Sequence, residues 1–183
     1  MRARVLSSVV VLAVALTGCN GGGDDNGPPT TLPPVTPAAS PTEAAGDVPA
    51  EATEATPEGA AAFVRAFYEQ LEAAYAARDA NSLQAYVSPE CETCARLLDA
   101  IRRLQAESAS VEGYSIQVVD VAVPGDAGSE RVDAVAVLNV SEFVRVDSAG
   151  AETTRQPARE NAAQELVLVR SGASWLITEL SNA

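Results

Sequence analysis

Histidine and lysine are both absent from this 183-residue chain, and its aromatic residues amount to one tryptophan, four tyrosines and three phenylalanines. Without imidazole, the commonest general base and the commonest metal ligand are missing together. Ser-His-Asp and Cys-His catalysis and histidine-based metal sites are excluded by composition. Without lysine every cation is an arginine, and 12 arginines stand against 25 carboxylates, for a formal charge of −13. Nucleic acid requires clustered cations against phosphate, and anionic lipid headgroups require the same, so neither is an expected electrostatic partner. The apolar run at the N-terminus, Val5 to Leu16, is shorter than the roughly 20 residues that cross a bilayer.

Arg2 and Arg4 precede that run and small residues follow it, the arrangement of a secretory leader. It ends in Leu16-Thr17-Gly18-Cys19, which resembles the lipobox of bacterial lipoproteins. The resemblance implies cleavage after residue 18 and a lipid on Cys19. The mature chain would then be anchored to the extracytoplasmic face of the cell membrane, and losing Arg2 and Arg4 would take its charge from −13 to −15. Residues 19–57 read as a disordered tether: Gly21-Gly22-Gly23 opens it, and Pro28, Pro29, Pro33, Pro34, Pro37, Pro41 and Pro49 follow. No apolar period survives there, so nothing offsets the cost of ordering the backbone. Residues 58–183 remain for one domain with one core.

Thr56-Pro57-Glu58 is a helix start, with a cap, a proline at the first position and an acid facing the dipole. Phe63, Phe67, Leu71, Ala74 and Tyr75 recur at three- and four-residue spacing, predicting a helix to about Arg78. A short second helix is expected from Leu83 to Val87. Ser88-Pro89-Glu90 repeats the start signal for a third, running to about Glu107 with Leu97, Leu98, Ile101 and Leu104 inward. After Gly113 the period becomes two. Strands are predicted at Tyr114–Val123, with a bulge where the apolar phase slips at Val118 and Val119, and at Arg131–Val146. A hairpin follows, Ala163–Arg170 and Ser174–Leu180, while Pro157 leaves residues 152–159 as a loop or frayed edge. Asn139-Val140-Ser141 has the form of a glycosylation sequon but falls inside a predicted strand, and is discounted.

Helices followed by consecutive antiparallel strands predict an α+β domain. The long first helix, the polar break after it and a final strand carrying Gly172, Trp175 and Ile177 resemble the NTF2-like (cystatin-like, SnoaL-like) fold. That resemblance implies a cone: three N-terminal helices packed on a curved antiparallel sheet of about four strands. More narrowly, Thr56-Pro57-Glu58-Gly59, Phe63-Val64-Arg65 and Ser88-Pro89-x-Cys91-x-x-Cys94 resemble an uncharacterised actinobacterial lipoprotein family, domain of unknown function 6318. It brings no assigned activity.

Three readings are open for Cys91 and Cys94. An exported domain left with an even pair of thiols fits a structural disulfide. A Cys-x-x-Cys at a helix start also fits thiol exchange, although the βαβ setting of such enzymes is missing. Two thiolates without histidine make only half a tetrahedral metal site, so no metal and no cofactor is expected. Acid/base enzymes of the SnoaL-like or isomerase type would need an inward carboxylate and tyrosine donors. Tyr68, Tyr75, Tyr86, Tyr114, Asp120, Asp133, Glu142 and Glu165 are the candidates, with Asp133 and Glu165 at outward strand positions. Tyr68, Tyr75 and Trp175 are the possible pocket residues. The expected function is non-catalytic binding of a small apolar ligand in the cone or of an envelope protein on the sheet, with a homodimer through the sheet as an analogy.

Overall fold

The computed structural model describes residues 48–126 and 128–182. The expected leader at 1–18, the expected lipidation site Cys19 and the expected tether as far as residue 47 lie outside the described residues.

The first long helix, α1 (Pro57–Ala77), begins as its cap predicts: Thr56 Oγ1 accepts a hydrogen bond from Gly59 N–H at 2.9 Å. Its inward stripe is Ala60, Phe63, Val64, Phe67, Leu71 and Ala74, all buried. Each buried phenylalanine contributes about 1.5–3 kcal/mol through area removed from water. The helix ends at Arg78, whose backbone is left-handed at φ 59°. The expected short helix is instead a 3-10 turn at Ala80–Leu83, capped by the Asp79 carboxylate. Val87 leaves it to bridge to Ile177, and the Ser88 N–H bonds the Ile177 carbonyl, so the chain here is pinned to the sheet and cannot coil.

The second α-helix, α2 (Glu92–Ala106), starts later than Ser88-Pro89-Glu90 indicates. Ser88 closes a turn on itself: its hydroxyl accepts from Glu90 N–H and its carbonyl from Cys91 N–H. Cys91 then takes the cap position, its sulfur accepting from Cys94 N–H. Among the described residues two α-helices, not three, therefore face the sheets.

The strands are β1 (Ser110–Glu112), β2 (Ile116–Ala122), β3 (Arg131–Val140), β4 (Phe143–Val146), β5 (Glu152–Gln156), β6 (Arg159–Ser171) and β7 (Ser174–Asn182). They form two antiparallel sheets, β2-β3-β6-β7 and β1-β4-β5, where one sheet of about four strands was expected. The run from Arg131 to Val146 is broken because Ser141 Oγ turns to Ser115 N–H and the Gly113 carbonyl, making a corner that sends β4 into the smaller sheet. β5 occupies the predicted loop. Its residues are exposed and carry no apolar alternation, and its backbone pairs with β4. The bulge predicted near Val119 is present between Val118 and Asp120, and further register shifts in β3–β6 and β6–β7 bend the larger sheet around α1. Its inner face carries Val132, Ala134, Ala136, Leu138, Leu166, Leu168, Trp175 and Ile177, all buried, while Asp133 and Glu165 point outward as expected.

The folded part reaches back before residue 58. A 3-10 turn at Ala50–Thr53 buries Ala52, and the strap that follows is held through its carbonyls. Trp175 Nε1 donates to Glu54 O at 2.9 Å, Arg170 Nη1 to Thr53 O at 2.7 Å, and Gly128 N to Ala55 O at 2.8 Å.

Candidate functional site

Where the sheet curves away from the C-terminal half of α1, a cavity of about 200 Å³ remains unfilled. Tyr68, Leu71 and Tyr75 of α1 form one wall, Leu138 and Val140 of β3 another, and Gln164 and Arg159 of β6 close the polar side. Tyr114 and Phe143 complete an aromatic group: Tyr75 and Tyr114 ring centroids are 4.7 Å apart, and Tyr114 meets Phe143 edge-on at 5.0 Å. The seven-residue spacing that put Tyr68 and Tyr75 on one helix face is what delivers both phenols to this space.

Its polar groups are few. Tyr68 Oη donates to Gln164 Oε1 at 2.6 Å. Burial pushes the Tyr68 and Tyr75 phenols above their ordinary value. Burial also raises Tyr114, with Tyr75 adding to the effect and the guanidinium of Arg159 opposing it. These phenols are therefore neutral donors through the physiological range. No Asp or Glu lies among the lining residues. Glu72, one turn from Tyr68 and Tyr75, spends its carboxylate on Ile116 N–H at 2.8 Å.

The sequence candidates divide accordingly. Tyr68, Tyr75 and Tyr114 come together. Tyr86, which follows the 3-10 turn, is buried away from the cavity against α1, its ring 5.4 Å from Phe63. Asp120, Asp133, Glu142 and Glu165 are exposed, and Glu142 pairs with Arg155. Trp175 is apart from the cavity: it is a buried plug under the Thr53–Glu54 strap, with Arg170 stacked 4.9 Å over its ring. Arg159 and Gln164 carry no motif that reveals them, since their place depends on the strand register.

Cys91 and Cys94 are bridged, with Cα atoms 5.2 Å apart, and are only 1% and 0% exposed. Among the described residues no group of three or more Cys, Asp and Glu is arranged to hold a metal, and no helix is long and apolar enough to cross a membrane.

Comparison with curated proteins finds no match. Among solved structures, the intermembrane space region of the chloroplast protein ARC6 superposes on 69% of this chain and 95% of its own, with a TM-score of 0.53 at 14% identity. At that identity the likeness concerns the fold alone. A protein of unknown function with a cystatin-like fold from Nostoc punctiforme covers 65% of this chain and 86% of its own, with 9% identity and a TM-score of 0.43. Another protein with a cystatin-like fold, from Caulobacter vibrioides, covers 66% and 85%, with 12% identity and a TM-score of 0.41. The profile of a family of unknown function (DUF6318) matches residues 37–181, most of the chain, and the protein belongs to that family.

Proposed function

We propose that this protein is a lipid-anchored, extracytoplasmic binding protein of NTF2-like type, which holds a small apolar molecule in its cone and performs no catalysis on it. The observation that carries the reading is the cavity itself, walled by aliphatic and tyrosine side chains with no carboxylate in the lining. A cavity of about 150 Å³ with apolar walls is enough to hold benzene, so this one suits a single substituted ring. Acid/base chemistry would need an inward carboxylate; the candidate acids Asp120, Asp133, Glu142 and Glu165 are exposed, and Glu72 beside the cavity is bonded to Ile116 N–H. Thiol exchange would need a reachable sulfur, and both are buried. A protein partner on the outer sheet would need an apolar patch. Among the described residues Val119, 48% exposed, is the one large apolar side chain standing open. The anchor rests on Leu16-Thr17-Gly18-Cys19 and the leader before it.

The test is titration with 2-phenylethanol, a neutral ring compound of suitable size. Saturable binding that Leu138→Phe abolishes, by filling the space, is the expected result. Absence of binding, or binding unchanged in that variant, refutes the cavity as a site. Separately, Cys19→Ala is expected to release the protein from the membrane fraction.

A further inference from the structure

Were β6 a regular strand, Arg159 would point away from the cavity. Side chains on a strand alternate between its faces. Along β6 the even-numbered Gln164, Leu166 and Leu168 turn inward and Glu165 outward, so an odd-numbered residue nearer the start belongs on the outer face. The ladder with β3 breaks this parity. Leu138 pairs with Ala162, yet Val140, two residues further, pairs with Arg159, three residues back. One extra residue sits in β6 at this point, and such a bulge re-aims the side chains beyond it. Arg159 thereby joins Val140 and Gln164 in lining the cavity, at its exposed rim.

Two asparagines hold the bulge. Asn161 has a left-handed backbone, φ 50°, which asparagine tolerates better than most residues. Its N–H donates to Asn139 Oδ1 at 2.9 Å, and the Asn139 amide is fixed in turn on Gln117 Oε1 at 3.1 Å. The asparagine of the discounted sequon is thus a clamp. Arg102, Arg131, Arg145 and Arg155 each hold a carboxylate, in a chain where acids outnumber arginines twofold. Arg159 is one of several arginines, with Arg65, Arg78, Arg96, Arg103 and Arg170, that form no salt bridge among the described residues, and of these it is the one that lines the cavity.

We propose that the bulge at Asn161 aims Arg159 at the cavity so that the site takes a small organic anion: a carboxylate at the rim on the guanidinium, and an apolar, ring-sized body among Tyr75, Tyr114 and Phe143. The planar fork of arginine matches a carboxylate with two parallel hydrogen bonds, and the phenols of Tyr75 and Tyr114 line the cavity without adding negative charge. This inference rests on the cavity being a binding site, as proposed above.

The experiment is isothermal titration of the full-length chain with phenylacetate and, in parallel, with 2-phenylethanol, which has the same ring and chain length without the charge. Phenylacetate is expected to bind about tenfold more tightly at low ionic strength, with the advantage shrinking as salt screens the rim. Arg159→Gln is expected to remove the advantage, weakening phenylacetate far more than 2-phenylethanol, and Arg159→Lys to restore part of it. Asn139→Ala, acting only through the bulge, lowers the preference for the anion and not the affinity for the alcohol. Equal affinities in the natural protein, or a preference that survives Arg159→Gln, overturns the inference while leaving the cavity a site. Failure of 2-phenylethanol as well as phenylacetate to bind overturns both readings. Arg159 is exposed, so thermal melts of its variants should coincide with the parent and exclude misfolding as the cause.

Discussion

Gly59→Ala sets two effects of opposite sign against each other. In the interior of a helix the change from glycine to alanine is worth up to about 1 kcal/mol of stability, because the unfolded chain loses freedom it no longer has to give up. Here a Cβ on residue 59 would lie 2.5 Å from the Glu54 carbonyl oxygen and 2.8 Å from its Cβ, distances that ordinary atoms do not tolerate. The obstruction is backbone, so the strap itself must lift. Lifting it loosens the Trp175–Glu54 hydrogen bond, worth about 1 kcal/mol, and the Arg170–Thr53 bond, whose donor is charged and worth about 1.5–3 kcal/mol. The losses exceed the gain, and we expect a net destabilisation of about 2 kcal/mol, or about 8 °C in Tm for a domain of this size. The chain has one tryptophan and it lies under the strap, so its fluorescence reports the event directly. Thermal unfolding followed at Trp175 should show the lower midpoint together with red-shifted native emission. A variant that melts higher than the parent, with emission unmoved, would refute the account of the strap.

Two further predictions concern pH and the disulfide. Burial holds the phenols of Tyr68, Tyr75 and Tyr114 above their ordinary value of 10.0, so the unfolded chain gives up these protons first. Their contribution is complete below pH 10.0 and declines as pH rises above it, so urea midpoints should fall steeply between about pH 10 and 12; a midpoint that stays level there contradicts the burial. Replacing Cys91 and Cys94 together by serine should cost about 2 kcal/mol, the small value a short closed loop allows. Because the sulfurs are enclosed, iodoacetamide after mild reductant should label the unfolded chain and spare the native one. Rapid native labelling would return thiol exchange to consideration.

Much of the fold was legible because local chemistry announced it. Thr56 and Pro57 marked the start of α1, the phase slip at Val118 and Val119 marked a bulge, and the alternation in β3 marked its inner face. The elements not legible in the sequence are those without an apolar period of their own. β5 is Glu-Thr-Thr-Arg-Gln, held by backbone pairing, and the Thr53–Glu54 strap is held by carbonyls that any sequence would present. The start of α2 was misplaced for a related reason: Ser88 has the chemistry of a cap and uses it on a turn. In the site, the helical repeat of Tyr68 and Tyr75 was readable, but Trp175 went to the strap and not to the cavity.

By itself, then, the sequence determined the absence of imidazole chemistry, the inward stripe of α1, the order of helices before strands and the expectation of export on a lipid. Those are properties of residue type and local period, which survive without knowing what lies across the molecule. The tertiary structure alone decided that Ser141 divides the strands between two sheets, that the strap seals Trp175, and that Arg159 faces inward. Each of these depends on which residue stands opposite which, and one inserted residue in β6 is enough to exchange the two faces of a strand.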